Sequence, residues 1–286
     1  MNALGLPAAV SVRTISTLFG VSAEFIGAIR RAPLRYYRKF SIKKGKKTRE
    51  IHAPRVALKV IQRWIGAHIA AAIELPDCVF GFVPGRSVAA AADVHCDAKW
   101  VYSLDLRDFF PSVSETRVHE ALTQIGYSNG ASNLVTRLCT LHGGLPQGSP
   151  ASPPLSNIVF RDTDGVLRNI AIARGVRYSR YADDLVFSGI EGPPSDLQEQ
   201  VNAALAAAGW NIAPEKEHLA QLPNRLKVHG LLVHGRQPRL TKGYRNKVRA
   251  FRHLDNSGKV RPDELRRIRG HLAYADSIDK FNEKKK

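Results

Sequence analysis

Three aspartates carry the clearest chemistry in this sequence. Asp183 and Asp184 are adjacent in the segment Tyr181-Ala182-Asp183-Asp184, and Asp105 stands well upstream. Two neighbouring carboxylates repel each other, and a chain that needs only a turn uses Asn-Gly or Asp-Gly more readily. A solvated acidic turn explains the pair alone, but three carboxylates together form a set of hard oxygen ligands for Mg²⁺. Two such ions about 3.5–4 Å apart can activate a hydroxyl group and stabilise a leaving pyrophosphate.

The residues around these aspartates predict the strands that position them. Residues 177–180 and 185–189 are β-prone, so Asp183 and Asp184 are expected at the tip of a hairpin. Residues 100–106 alternate in the manner of a strand, and Asp105 lies near its end. If this strand lies beside the hairpin, the three carboxylates meet.

The remaining pattern predicts an α+β fold. A basic hairpin is expected at 39–49, and Trp210–Ala213 is predicted as a last strand. Helical spacing is found at 11–30 with a break near Gly20, at 55–73, 114–126 and 132–141, and from Pro153 onward. From residue 100, the order of strand, helices, hairpin, helix and strand matches the split β-α-β-β-α-β arrangement. That arrangement is an antiparallel sheet with helices on one face.

Charge is concentrated in two stretches of the chain. The 286 residues include 43 Lys and Arg against 25 Asp and Glu, a formal net charge of +18. Residues 30–49 hold ten basic residues and no acidic one, and residues 236–269 hold twelve basic residues and three acidic ones. Two basic stretches flanking a nearly neutral middle predict a protein that grips nucleic acid on both sides of a central site.

The spacing of the cysteines and histidines and the length of the apolar runs limit the classes of function that this sequence can have. The three cysteines are widely spaced without a Cys-x-x-Cys motif, and the ten histidines show no zinc-binding spacing. Neither a signal peptide nor an apolar run of membrane-spanning length is found, so no membrane partner is expected. We therefore expect reduced thiols and a cytoplasmic protein.

Three motifs, in order and in register, resemble those of a reverse transcriptase. They are Ser103–Ser112, the loop Leu145–Asn157 and the hairpin Tyr181–Asp184. The chain is most similar to bacterial retron reverse transcriptases. This resemblance implies a right-hand polymerase fold with fingers, a ferredoxin-like palm and a small basic helical thumb. The expected domain boundaries are 1–98 for the N-terminal helices and fingers, 99–225 for the palm with a fingers insertion around 112–150, and 226–286 for the thumb.

The resemblance also implies an activity and its partners. The expected reaction is RNA-templated addition of deoxynucleotides (dNTPs) to a primer hydroxyl, with two Mg²⁺ ions or Mn²⁺ as a substitute. A dedicated structured non-coding RNA would serve as template and primer, with synthesis starting from an internal guanosine 2′-hydroxyl. The product would be branched RNA-linked DNA. The family further implies a separate effector protein and a role in defence against phage in the bacterial cytoplasm.

Site residues follow from the matched motif positions. Asp105, Asp183 and Asp184 are the expected catalytic residues, and with Leu106 they form the expected metal set, Asp184 being a weaker or indirect ligand. The nucleotide-binding residues implied are Arg49, Asp108, Phe109, Phe110 and Gln147.

Individual roles follow from the same positions. Arg49 would hold the triphosphate with help from Lys46, and Lys216 would donate a proton to pyrophosphate. Phe110 would reject ribonucleotides by clashing with the 2′-hydroxyl, and its alternative is a core aromatic beside Phe109.

RNA contacts are expected from a basic helix and from one histidine. The helix is predicted at 241–254 and carries Arg245, Arg249 and Arg252. The histidine is His95, in a segment similar to a retron marker sequence.

Two marker sequences of retron reverse transcriptases are recognisable here, and each differs from its pattern at one residue. The pattern Asn-Ala-x-x-His reads Ala91-Ala92-Asp93-Val94-His95 here, and Val-Thr-Gly reads Val228-His229-Gly230. The departures at Ala91 and His229 leave open a sister group, defence-associated or group II intron-like, that makes linear cDNA.

Two other classes of protein remain as alternatives. A metal-dependent nuclease could use the three aspartates but would not need the Leu145–Gly148 loop. A non-catalytic RNA-binding protein would explain the charge but not the paired carboxylates.

Overall fold

The computed structural model describes residues 11–44 and 47–285 of the chain. Lys46, the expected helper of Arg49, lies outside this range. In chain order, the helices and strands are α1 (Val12–Phe19), α2 (Ala23–Arg31), β1 (Tyr37–Lys44), β2 (Lys47–Pro54), α3 (Val56–Ala72), α4 (Val88–Asp93), β3 (Trp100–Asp105), α5 (Phe109–Ser112), α6 (Glu115–Gln124), α7 (Asn129–Cys139), α8 (Ser152–Ala173), β4 (Arg177–Tyr181), β5 (Asp184–Gly189), α9 (Leu197–Ala207), β6 (His218–Gln221), β7 (Lys227–Val228), β8 (Leu231–Leu232), β9 (Arg239–Leu240), α10 (Lys242–Asn256) and α11 (Pro262–Glu283).

The described chain divides into two compact units, each made of several chain segments. The first takes the residues up to Gly85 together with Leu106–Val166 and Leu205–Asn211. The second takes Arg86–Asp105, Leu167–Ala204 and the chain from Ile212 onward. The domain boundaries predicted from the sequence differ from these divisions and stay a prediction.

Capping residues set the ends of the first two described helices of the first unit. The Ser11 hydroxyl accepts a hydrogen bond from the Thr14 amide at the start of α1, and Gly20 ends this helix with φ of 62°. Ser22 then caps α2 by accepting from the Phe25 amide. The predicted break near Gly20 is therefore confirmed. The predicted basic hairpin is also confirmed, since β1 and β2 pair antiparallel along their whole length.

A four-stranded antiparallel sheet forms the framework of the second unit. Its strand order is β4-β5-β3-β6, with β3 between β5 and β6. Inward side chains of β3 and β5, including Tyr102, Leu104 and Phe187, are fully buried. The chain order of β3, β4, β5 and β6 with intervening helices is the predicted split arrangement.

The position of the last strand corrects the prediction. A strand was expected to start at residues 210–213, but only Ile212 forms a β-bridge there and the regular strand is β6, His218–Gln221. Pro214 lacks a backbone N–H and begins a 3₁₀ turn that ends at Lys216. The apolar character of the predicted segment reflects burial, because Trp210 is 4% exposed and packs on Phe160 with ring centroids 4.7 Å apart.

The C-terminal part of the second unit contains a small sheet and two helices. Strands β7, β8 and β9 form an antiparallel three-stranded sheet. Helix α10 begins at a Thr241 cap, and its Tyr244 hydroxyl lies 2.7 Å from Nδ1 of His271 on α11. Buried Val228, Leu231 and Ile278 belong to one apolar cluster with Val101 of β3 and Val186 of β5. This cluster ties the C-terminal elements to the four-stranded sheet.

Within the described residues, no single helix is long and apolar enough to cross a membrane, and only α1 and α2 taken together as a pair bent by 116° meet that test.

Candidate active site

Asp183 lies at the tip of a tight hairpin. Tyr181 and Asp184 pair across β4 and β5, so Ala182 and Asp183 form a two-residue turn. Ala182 has φ of 60°, a conformation that residues other than glycine rarely adopt. The fully buried Arg180 donates a hydrogen bond of 3.1 Å to the Ala182 carbonyl. The turn is thus fixed from inside the unit, and strain held in this way is typical of functional sites.

Asp105 meets the hairpin through strand pairing. It is the last residue of β3 and lies opposite Asp184 in the antiparallel register of β3 and β5. Its backbone carbonyl accepts a hydrogen bond of 2.9 Å from the Ala213 amide. The predicted placement of the Asp105 strand beside the hairpin is confirmed.

The electrostatics of these carboxylates favour a cation. Burial, and next the negative charge of Asp105, raise the pKa of the Asp183 carboxyl. The Lys216 ammonium contacts Oδ1 of Asp105 and opposes this shift. Lys216 reaches this place because the segment before β6 is a 3₁₀ turn rather than a strand. A positive charge of the protein therefore sits on the carboxylate cluster.

Asp184 has a different partner. Its Oδ2 accepts a hydrogen bond of 2.9 Å from Nδ1 of His229, in the turn between β7 and β8. Sequence reasoning noted His229 only as a departure from Val-Thr-Gly and assigned it no contact with the aspartates. That departure was the available signal.

The donor set fits a divalent metal ion. Among residues 11–44 and 47–285, no group of three or more Asp, Glu, His or Cys side chains is arranged so that it could hold a metal ion. Asp105 is engaged by Lys216 and Asp184 by His229 instead. Three carboxylates, one with a raised pKa, nevertheless provide the hard oxygen ligands that Mg²⁺ and similar ions prefer.

In the first unit, the Leu145–Gly148 loop packs on the basic hairpin. The Gln147 carbonyl accepts a hydrogen bond of 2.8 Å from the His52 amide of β2. Gly148 has φ of 119°, and a Cβ there would lie 2.9 Å from the Ile51 side chain and 3.0 Å from the His52 carbonyl oxygen. Only glycine allows this approach, so the loop is held against the strand that carries Arg49.

A buried glutamine anchors the other end of this loop. The Gln62 amide group donates to the Tyr37 hydroxyl and to the Leu138 carbonyl, both at 2.7 Å. The Ser149 hydroxyl donates to Gln62 Oε1, also at 2.7 Å. Sequence reasoning missed Gln62, although a polar residue on the apolar face of α3 was a usable signal.

Phe109 and Phe110, the aromatic pair that follows Asp105, lie in different environments. Phe109 is 4% exposed and packs on Phe160 and Trp210, so its predicted nucleotide contact would be made by its backbone rather than by its ring. Phe110 is only half-buried and lies 5.5 Å from Phe109 and 6.0 Å from Phe82 between ring centroids.

Three residues lie between Asp105 and the aromatic pair. Arg107 is exposed, and Leu106 and Asp108 differ in their burial. Leu106 is 2% exposed and apolar, so it could ligate a metal only through its backbone carbonyl. Asp108 is exposed, with φ of 46° before α5.

The arginines that were expected to bind nucleotide or RNA are exposed on the surface. Arg49 lies on β2 opposite Ile42. Arg245, Arg249 and Arg252 are exposed on α10 and line a cavity of about 310 Å³ against α11. Arg252 also forms an ion pair with Asp276.

His95 does not lie on the surface. It is fully buried, and its two ring nitrogens lie 2.7 Å from the hydroxyls of Ser179 on β4 and Ser188 on β5. One nitrogen donates and the other accepts, so the ring joins the two strands of the aspartate hairpin. Because no ring atom is left for RNA, the expectation that His95 contacts RNA is wrong.

The hydrogen bonds of His95 to Ser179 and Ser188 make the stability of the β4–β5 hairpin depend on pH. Burial lowers the pKa of His95 to about 3, below its ordinary value of about 6.5 in an unfolded chain. The unfolded chain therefore takes up the proton first, and the contribution of His95 is complete above about pH 6.5 and is lost as pH falls toward 3. We expect His95→Ala to lower the free energy of unfolding by about 3 kcal/mol at pH 7.5. His95→Gln should lose less stability between pH 6.5 and 4.5 than the wild-type protein. Urea denaturation measures both, and equal pH slopes for His95→Gln and wild type would contradict this account.

Comparison with known proteins gives a consistent assignment. Residues 42–247 match the family model described as reverse transcriptase (RNA-dependent DNA polymerase). The chain is 28% identical to the retron Ec86 reverse transcriptase of Escherichia coli over 96% of its own length and 87% of that protein. It is 31% identical to the retron Mx162 reverse transcriptase of Myxococcus xanthus, over 81% of this chain and 55% of that longer protein. It is 30% identical to the retron Mx65 enzyme of the same species, over 94% and 67% of the two chains.

Solved structures show the same fold at greater distance. Apo telomerase from Candida tropicalis, truncated from its C-terminal domain, superposes with a TM-score of 0.52 at 13% identity. The match covers 72% of this chain and 55% of that chain. The mixed helix and sheet structure is thus a right-hand polymerase fold. Enzymes of this family are RNA-directed DNA polymerases and generally use divalent metal ions. The chain belongs to the reverse transcriptase family and, within it, to the retron reverse transcriptases.

Proposed function

We propose that this enzyme copies a dedicated structured non-coding RNA, which serves as template and primer, into branched RNA-linked single-stranded DNA. The observation that carries this proposal is the similarity to retron reverse transcriptases along nearly the whole chain, including the basic C-terminal helices. Two strongly basic stretches fit an RNA partner, because Lys and Arg side chains neutralise its phosphates.

The proposed metal ligands are Asp105, Asp183 and Asp184, with the Leu106 carbonyl as a further candidate. Two Mg²⁺ ions, or Mn²⁺ in their place, would supply activation of the primer hydroxyl and charge stabilisation at the leaving pyrophosphate. Burial and the neighbouring charge of Asp105 raise the pKa of Asp183, which favours a bound cation over a free carboxylate. Lys216, already at the cluster, is the proposed proton donor to pyrophosphate.

The proposed nucleotide site uses residues of the first unit. Arg49 holds the triphosphate through its planar guanidinium group, and the Gln147 loop contacts the incoming nucleotide. Asp108 and the backbone of Phe109 complete the set. In this proposal the β1–β2 hairpin belongs to the fingers, the four-stranded sheet to the palm, and β7–β9 with α10 and α11 to the thumb.

Phe110 is the proposed selector against ribonucleotides. Replacing it with Val should raise ribonucleotide incorporation relative to dNTP incorporation by about 10- to 100-fold, because a hydroxyl no longer meets the ring. Single-nucleotide extension of one primer with matched dNTP and NTP measures the ratio. Phe109→Leu is the matched control, because Phe109 is buried: it should lower the melting temperature and leave the sugar ratio unchanged. Unchanged sugar selectivity in Phe110→Val would remove the proposed role.

A separate effector protein, a role in defence against phage and a place in the bacterial cytoplasm complete the proposal. They rest on membership in the retron group. A phage plating assay in cells that keep the effector gene would test the defence role, and equal plating efficiency with and without the enzyme gene would argue against it.

The nucleic acid bound to the enzyme tests the main proposal. The protein would be purified from its native host and the associated DNA sequenced before and after ribonuclease treatment. We expect single-stranded DNA joined covalently to RNA at a guanosine 2′-hydroxyl. Linear cDNA without an RNA branch would instead place the enzyme in a sister group.

A further inference from the structure

A two-residue turn outside the three polymerase motifs contacts one of the carboxylates. Strands β7 and β8 pair through Val228 and Leu231, so His229 and Gly230 form the turn between them. Their φ values are 49° and 84°. Positive φ at both central positions is characteristic of a type I′ hairpin turn. Histidine is among the few residues besides glycine that adopt such values with some frequency.

The contact from this turn is specific. His229 Nδ1 lies 2.9 Å from Asp184 Oδ2, and the His229 side chain is 7% exposed against 37% for Asp184. A carboxylate can only accept here, so Nδ1 carries the donated proton. The other ring nitrogen, Nε2, is buried without a hydrogen-bond partner in the described part of the chain. The bond to Asp184 is therefore the hydrogen bond that holds this ring.

The ring is also held in place by packing. Tyr181, at the end of β4, lies 5.3 Å from His229 between ring centroids. Tyr181 and Asp184 are the two residues that close the aspartate turn. The His229 ring thus contacts both residues that flank the two-residue turn carrying Asp183.

We propose that His229 is a positioning residue that fixes the orientation of the Asp184 carboxylate and so raises the affinity of the carboxylate cluster for divalent metal. The inference rests on the proposed role of Asp184 as a metal ligand. Hydrogen-bonded partners of ligating carboxylates orient them for the metal, and their loss typically costs about 10- to 100-fold in metal affinity or activity. The Val-Thr-Gly marker has threonine at this position, and the imidazole contact follows from the histidine that stands there in this chain.

Two substitutions separate the hydrogen bond from the turn. His229→Gly removes the ring and keeps the positive φ without strain. His229→Asn keeps a short donor and also tolerates positive φ. Mn²⁺ binding to the full-length protein would be measured by calorimetry, with Mg²⁺ dependence of dNTP incorporation, primer–template affinity and melting temperature followed in parallel.

We expect His229→Gly to weaken Mn²⁺ binding and lower kcat by about tenfold each, with primer–template affinity unchanged. His229→Asn should recover most of both losses. Unchanged Mn²⁺ affinity in His229→Gly would overturn the proposal. A lower melting temperature or weaker primer–template binding in that variant would not rescue it. Failure of His229→Asn to recover Mn²⁺ binding would also overturn it.

Asp184→Asn distinguishes this inference from the function on which it rests. If Asp184→Asn loses metal affinity while His229→Gly does not, the positioning role alone fails. If Asp184→Asn binds Mn²⁺ and extends primers as the wild-type enzyme does, the proposed role of Asp184 fails and the positioning role fails with it.

Discussion

Asp183→Asn is expected to lower the rate of dNTP incorporation by at least about a thousandfold, because a metal site supplies several kcal/mol of charge stabilisation. The same change should raise the melting temperature of the metal-free protein. Burial and the neighbouring charge of Asp105 raise the pKa of Asp183, so its ionised form destabilises the folded state when no cation is bound. Asparagine removes that charge and keeps the shape of the side chain.

The pH dependence of this stabilisation has a defined sign. Because the folded pKa is raised, the folded wild-type protein binds a proton before the unfolded chain does, and the cost of ionised Asp183 declines as pH falls. The advantage of Asp183→Asn should therefore be largest at neutral pH and shrink as the solution is acidified. Primer extension and thermal melting with a chelator measure the two effects.

Asp196→Asn is the matched control for Asp183→Asn. The hydrogen bond from Arg174 lowers the pKa of this exposed carboxyl, so its ionised form stabilises the fold instead. The control should keep activity and should not gain thermal stability. An active Asp183→Asn enzyme, or one less stable than wild type at neutral pH, would contradict the account.

Neutralising Arg245, Arg249 and Arg252 together is expected to weaken RNA binding by about a hundredfold and to reduce the slope of log affinity against log salt by about 2–3. The three guanidinium groups are exposed on one helix and line one cavity, so they can contact successive phosphates of a folded RNA. Filter binding at several salt concentrations measures both quantities.

A control of equal charge tests whether position matters. Arg63, Arg161 and Arg168 are exposed and lie outside both basic stretches. Changing these three to Gln should leave the salt slope close to that of the wild-type protein. If the two triple variants have the same slope, RNA binding depends on net charge alone and the role of α10 is wrong.

Short-range patterns predicted much of the carboxylate site. The aspartate hairpin, the strand ending at Asp105 and the order of the sheet all follow from alternation, turn position and chain order, which act over a few residues. The contact between Asp105 and the hairpin also followed, because the split β-α-β-β-α-β order allows few pairings.

Contacts between distant segments could not be read in this way. His95 was expected to contact RNA because its segment is similar to a retron marker sequence, yet two serines in β4 and β5 satisfy both of its nitrogens in the core. Trp210 gave its segment the composition of a strand, although its ring packs against Phe160. The bond from His229 to Asp184 depends on two turns meeting, and neither turn predicts the other.

Iron-directed cleavage tests the central claim most directly, because it reports where a divalent metal binds without requiring activity. Fe²⁺ would replace Mg²⁺ in the full-length protein, and ascorbate with peroxide would generate radicals that cut the chain near the ion. The account predicts cuts around Asp105 and around Asp183 and Asp184, suppressed by excess Mg²⁺ and lost in Asp183→Asn. Cuts confined to other segments, or cuts at these positions that persist in Asp183→Asn, would contradict it.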